Sequence, residues 1–153
     1  MTKPKIIFCD IDGTLTDGTY IVSDEGCVSK AFHTRDIHAL RSVSDSGIKV
    51  IVVTGSSDRC NQVKMRQVGL MLYDCIDDKL ALIKSVAAIE GVDLSDCLFI
   101  GDGQNDFEAM SACGMRACPQ DASPIIKEIP EIFISDVDGG KGSVEAILMS
   151  IFD

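Results

Sequence analysis

The 153-residue chain has no tryptophan, is only 5% aromatic and contains no apolar run near the ~20 residues that a membrane-spanning helix needs. Few aromatics leave the core to Val, Ile, Leu and Ala, and at 46% hydrophobic content these suffice for an ordinary globular domain. No repeat, low-complexity tract or linker divides the sequence, so residues 1–153 read as one domain. A secretory signal is also missing, because Asp10 and Asp12 interrupt the first apolar stretch; the expected compartment is the cytoplasm, with no membrane partner. Basic residues are scarce. Fourteen Lys and Arg against 24 Asp and Glu give a net charge of −10, which opposes nucleic-acid binding and keeps a small domain soluble. The seven cysteines are odd in number and include no CxxC pair, and Cys113 and Cys118 are too widely spaced for a zinc knuckle. They read as small buried hydrophobes, Cys9 inside the first strand among them, and not as a disulfide framework.

Apolar, β-branched segments alternate with helical patterns, the signature of a parallel sheet covered by helices on both faces. KIIFCD forms the first strand and ends near Asp10. GTYIV and CVSKAF flank the turn Ser23-Asp24-Glu25-Gly26 and predict a hairpin. A helix follows Asp36, with Ile37, Leu40 and Val43 on one face and a stop at Gly47. IKVIVV then runs into Thr54-Gly55. A second helix covers about Asp58 to Gln67 and ends before Gly69, and LMLYDC forms a short strand. Lys79 opens a third helix, with Leu82, Val86 and Ile89 as its expected apolar stripe and Gly91 as its stop. CLFI leads into Gly101-Asp102, and a helix over Asp106–Ala112 ends at Gly114. MRAC and EIFIS are the last strands, separated by a helix after Pro124, and Val144 to Ile151 forms a final amphipathic helix. The intervals between Asp12 and Thr54, and between Thr54 and Lys79, are too short for a separate lid domain.

Asp10, Asp12, Thr54 and Asp102 all fall at or just beyond strand ends, where open α/β sheets bind ligands. Asp10, Asp12, Asp102 and Asp106 converging on one crevice would repel one another unless a cation joined them. All-oxygen ligation suits Mg2+ better than zinc. The same arrangement suits phosphoryl transfer: a cation and a Lys ammonium remove the repulsion between a carboxylate nucleophile and a dianionic phosphate. Asp12, two residues on from Asp10, can turn towards the leaving oxygen as acid and then act as base towards water. Thr54 offers a hydroxyl and Gly55 a backbone amide. Each piece alone has an ordinary explanation: Asp12-Gly13 a turn, Asp102 and Asp106 helix caps, Lys79 a solvated first-turn residue. Their joint placement at successive strand ends favours chemistry.

FCDIDGTLTDG, VVTG, DDKL and FIGDGQND, in that order, resemble the motifs of the haloacid dehalogenase superfamily, over nearly the whole chain. The resemblance implies a three-layer Rossmann-like sandwich with a mainly parallel sheet, a β-hairpin after the first strand and no cap domain. It implies that Asp10 is a nucleophile forming an aspartyl-phosphate and Asp12 the acid/base. Thr54 and Lys79 would hold the phosphoryl group, and Asp102 would bind Mg2+ together with the Asp10 carboxylate and the Asp12 main-chain carbonyl. Asp106 would support the metal water or orient Lys79.

The segment DGTYIVSDEGCVSKAFHTRD and the tail GGKGSVEAI resemble the lidless subfamily typified by 3-deoxy-D-manno-octulosonate 8-phosphate phosphatase. That likeness implies a homotetramer in which a neighbouring subunit closes each site. The implied substrate is a phosphorylated sugar acid, the octulosonate 8-phosphate or a nonulosonate 9-phosphate. Its carboxylate calls for basic groups beyond Lys79, with Lys64 and Arg66 as candidates; His33, Thr34 and Asp36 could line the sugar pocket. The chain departs from the subfamily pattern at Ile37, Ser56, Gly103 and Glu145-Ala146, which leaves the substrate open. Two other classes stay in view: a non-catalytic assembly module like that of CMP-sialic acid synthetases, which lacks the catalytic carboxylates, and a receiver domain, whose phosphorylated Asp follows a middle strand.

Overall fold

The structure, a computed structural model, describes residues 2–153. Its elements are β1 (Ile6–Cys9), β2 (Ile21–Val22), β3 (Val28–Ser29), α1 (Thr34–Asp45), β4 (Lys49–Val53), α2 (Arg59–Val68), β5 (Met71–Tyr73), α3 (Lys79–Glu90), β6 (Cys97–Ile100), α4 (Phe107–Ala112), β7 (Met115–Cys118), α5 (Pro124–Lys127), β8 (Phe133–Ile134) and α6 (Ser143–Phe152). Six strands form one sheet in the order β5-β4-β1-β6-β7-β8. Every pairing in it is parallel.

Strand periodicity builds the three layers. Successive side chains of a strand point to opposite faces, so Ile7 and Cys9 of β1 join Val50, Val52, Leu98 and Ile100 on one face, under α1, α2 and α6. Ile6 and Phe8 join Ile51, Val53, Cys97 and Phe99 on the other, under α3, α4 and α5. Phe8 and Phe99 stack with ring centroids 6.2 Å apart. Being covered on both faces, the central strands read as unbroken apolar runs. The chain fills the sheet outward from β1 through β4 to β5, then returns across β1 to begin the other half at β6. That reversal places a crevice at the carboxyl ends of β1, β4 and β6.

The expected architecture is present, with two local differences. The apolar stripe of α3 runs through Lys79, Ile83, Val86 and Ala87, whereas Leu82 is half-buried and Ile89 is 82% exposed. Lys79 sets this phase: once its side chain enters the sheet edge, positions four, seven and eight further on share its face. The hairpin is shorter than its sequence suggests. β2 and β3 pair only as Ile21 with Ser29 and Val22 with Val28. Its turn lies where expected, closed by the Ser23 N–H donating to the Cys27 carbonyl and the Gly26 N–H to that of Ser23, both at 2.9 Å. Tyr20, Ile21 and Val22 on this hairpin are exposed. All seven cysteines are unpaired, with Cys9, Cys97, Cys113 and Cys118 buried. No helix among the described residues is long and apolar enough to cross a membrane.

Candidate active site

Asp10 follows β1 directly, and its N–H continues the sheet ladder by donating to the Ile100 carbonyl at 2.9 Å. Thr54 follows β4 in the same way, its N–H reaching the Tyr73 carbonyl at 3.0 Å. Asp102 lies two residues beyond β6. Lys79 takes the first position of α3 because Asp78 caps that helix, accepting the Ala81 N–H at 2.9 Å. The ladder thus fixes Asp10 and Thr54, the Asp106 carboxylate holds the Asp102 N–H, and a cap fixes Lys79. Together with Asp12, Gly55, Ser56, Gly103 and Asn105, the strand-end residues Asp10, Thr54 and Asp102 line a pocket of about 300 Å³. Thr54 is buried, and its Oγ1 accepts the Ser56 N–H at 3.1 Å.

Beneath the pocket, Lys79 Nζ donates to Asp10 Oδ1 at 2.8 Å and to Asp106 Oδ1 at 2.6 Å, and all three side chains are buried. The other Asp106 oxygen accepts the N–H groups of Asp102 and Gly103 at 3.1 and 3.2 Å. Asp106 therefore ties Lys79 to the loop carrying Asp102. Thr14 Oγ1 donates to Asp102 Oδ1 at 2.9 Å. Burial first, and then the Asp106 charge, push the Asp10 carboxyl well above its usual range against the pull of Lys79. Burial raises Asp102 as well, against the hydrogen bond from Thr14. Burial alone would lower Lys79; Asp10 and Asp106 outweigh it, and the ammonium is held more firmly than usual.

Three glycines make this approach possible. Gly13 has φ +86°, and a Cβ there would collide with the Asp102 carboxylate. Gly140, at φ +73°, packs so closely on Thr16 and Asp17 that it has no room for a side chain, and neighbouring Gly139 presses equally tightly on the Gly13 carbonyl. The Gly140 N–H donates to the Thr14 carbonyl at 3.1 Å. The C-terminal tail thus braces the loop that follows Asp10.

Asp10, Asp102 and Asp106 each offer one oxygen, and these atoms lie within 4.8 Å of one another. An all-oxygen donor set containing two carboxyls whose ionisation is resisted fits a hard divalent cation, which would relieve that resistance.

Asp12 faces the pocket from above and is held by a residue that motif reading passes over. Lys30, just beyond β3, places Nζ 2.9 Å from Asp12 Oδ1 and 2.9 Å from Asp58 Oδ2, and its side chain is 0% exposed. Asn61 Oδ1 at 3.2 Å and Ser56 Oγ at 3.5 Å accept from the same ammonium. Two sequence signals could have found it: a lone Lys in an otherwise neutral strand of the hairpin, and a Ser-x-Asp helix entry after Thr54-Gly55.

The remaining candidates lie elsewhere. His33 is the N-terminal cap of α1, its Nδ1 accepting the Arg35 N–H at 3.3 Å, and Thr34 begins that helix. Asp36 is wholly buried with Oδ1 accepting the Glu145 N–H at 2.9 Å. It sits at the N-terminal end of α6, where unpaired amides favour a carboxylate. None of these three lines the pocket of Asp10: starting α1 turns them towards α6 and away from the crevice. Lys64 is half-buried in a larger hollow of about 650 Å³ between the hairpin and α2, lined also by Lys30, Phe32, Asp58 and Val63. Lys30 borders this hollow while touching Asp12, so the two spaces share a wall. Arg66, two positions on, is exposed and does not line it.

Known proteins share this fold. The 3-deoxy-D-manno-octulosonate 8-phosphate phosphatase of Yersinia pestis is 27% identical over 145 residues, covering 94% of this chain and 76% of its own. The Moraxella catarrhalis enzyme of the same name, solved with a magnesium ion, a phosphate ion and a KDO molecule, superposes with a TM-score of 0.91 at 28% identity, covering 97% of this chain and 85% of that one. A cobalt-bound deoxy-D-mannose-octulosonate 8-phosphate phosphatase from Haemophilus influenzae gives 0.90 at 26% identity, with 97% and 87% covered. The family described as haloacid dehalogenase-like hydrolase matches residues 35–114, just over half of the sequence, and the chain belongs to that family.

Proposed function

We propose that the chain is a Mg2+-dependent phosphatase that hydrolyses a small phosphate monoester through an aspartyl-phosphate on Asp10. The observation that carries this reading is the Asp10–Lys79–Asp106 ion-pair chain beneath a pocket that Asp12, Thr54 and Asp102 also line. Asp10 and Asp102, with the Asp12 main-chain carbonyl, would hold Mg2+, which neutralises the phosphate and keeps the Asp10 carboxyl ionised. An Asp10 oxygen attacks phosphorus as the bond to the leaving oxygen breaks, and Asp12 gives that oxygen its proton. Asp12 then takes a proton from the water that attacks phosphorus as the Asp10–phosphorus bond breaks, releasing phosphate and restoring both carboxyls. Lys79, the Thr54 hydroxyl and the Gly55 amide hold the phosphoryl oxygens. Asp106 acts through Lys79, since both its oxygens are committed to Lys79 and two amides.

The substrate we favour is a phosphorylated sugar acid, an octulosonate 8-phosphate or a nonulosonate 9-phosphate, as the names of its relatives suggest. Lys64, in the hollow that adjoins Asp12, would meet the sugar acid's carboxylate. The exposed Tyr20, Ile21 and Val22 of the hairpin support a homotetramer in which neighbours cover the sites. Residues 1–153 then form one hydrolase domain working in the cytoplasm. Turnover of p-nitrophenyl phosphate with Mg2+, followed by a screen of phosphorylated sugar acids with phosphate detection, tests the reading. Steady hydrolysis lost in Asp10→Asn supports it; a single stoichiometric burst, or activity surviving in Asp10→Asn, overturns it.

A further inference from the structure

Asp12 is 38% exposed at its side chain, and a carboxylate this open would swing between rotamers unless something held it. Among the described residues, Lys30 is the only side chain paired with it, reaching Oδ1 at 2.9 Å and Oδ2 at 3.2 Å. The ammonium is anchored independently of Asp12. Asp58 Oδ2, 2.9 Å from Lys30, also accepts the Ser56 hydroxyl at 2.5 Å, and the Asp58 N–H returns to Ser56 Oγ at 3.1 Å. Buried Asn61 accepts from Lys30 at 3.2 Å and donates to Ser56 Oγ at 3.4 Å. A charge held by one rigid network and offered to one mobile carboxylate fixes that carboxylate's direction.

We propose that Lys30 is a positioning residue, holding Asp12 where its carboxyl meets the leaving oxygen. The inference rests on Asp12 being the acid/base. The proton passes from Asp12 to the leaving oxygen as the phosphorus–oxygen bond breaks, and Lys30 itself neither gains nor loses one. The hairpin then belongs to the catalytic apparatus, because it delivers this ammonium.

Proton donation matters for a basic leaving group and hardly at all for a nitrophenolate. Phenyl phosphate and p-nitrophenyl phosphate have nearly the same shape, so the pair isolates this step. Lys30→Met should lose about tenfold more kcat/KM, which reports the step that expels the leaving group, on phenyl phosphate than on p-nitrophenyl phosphate. Asp12→Asn should show the same selectivity, only larger. Unchanged melting and Mg2+ binding by calorimetry check the fold of each variant. Should Lys30→Met fail to fold, Asp58→Asn loosens the anchor without touching Asp12 and should give the same selective loss, reduced in size. Equal losses on both substrates, or none, for the folded Lys30 or Asp58 variant alongside a selective Asp12→Asn would overturn the role of Lys30 alone. An Asp12→Asn without selectivity would overturn the acid/base reading and this inference with it.

Discussion

Lys79 and Lys30 each bridge two carboxylates at similar distances, 2.8 and 2.6 Å for the first and 2.9 Å twice for the second, but different kinds of structure supply them. Lys79 starts a twelve-residue helix packed on the sheet, and its partners Asp10 and Asp106 are buried. Lys30 follows a two-residue strand, and its partners Asp12 and Asp58 keep 38% and 29% of their side chains open to solvent. Removing a buried partner strands charge in a medium that cannot solvate it, whereas removing a partner near water leaves the other groups able to hydrate. On the proposed reading Lys79 would serve stability and chemistry together, and Lys30 would serve chemistry with little demand on the fold.

Substitutions can break this contrast. Asp10→Asn should have the largest effect on rate, about 10⁴-fold or more in kcat, because it removes the attacking charge with hardly any change in volume. Lys79→Met should follow, costing metal-free stability about 3–5 kcal/mol by leaving Asp10 and Asp106 without their cation. Melting with and without Mg2+ checks this: the ion should raise the midpoint more in the variant than in the unaltered protein, while Lys30→Met should respond like the latter. If both variants melt alike, the contrast is false. Gly13→Ala displaces the Asp102 carboxylate and should weaken Mg2+ binding about 10–100-fold, read by calorimetry. Smallest are the tests of α3's phase, read by denaturant unfolding. Ile83→Val should cost about 0.5–1.5 kcal/mol, and Ile89→Ser should stay within about 0.5 kcal/mol.

The two lysines also mark what could be read from sequence. Strand positions, helix starts and the residues at the ends of β1, β4 and β6 follow from apolar runs broken by Asp or Thr, a local signal. Lys79 was legible because a helical pattern opens at it and because DDKL belongs to the motif series. The hairpin turn was legible too, since Ser23-Asp24-Glu25-Gly26 closes on itself. Lys30 was not, because its partners come from the loop after β1, the loop after β4 and the first turn of α2, which only tertiary structure brings together. Asp36 shows the converse: its closeness in sequence to the hairpin suggested the sugar pocket, yet its partner is Glu145, 109 residues away. The apolar stripe of α3 was misjudged through Leu82 and Ile89 because pattern counting scores Lys79 as polar, when its burial fixes the helix's rotation.

The seat of Gly139 and Gly140 on the Gly13–Asp17 loop has a consequence for biosynthesis. A ribosome makes Asp10 about 130 residues before the two glycines that brace its loop. A nascent chain arrested just before them would carry every acidic motif with the Asp10 loop unsupported, so that loop gains its brace only once this glycine pair has emerged.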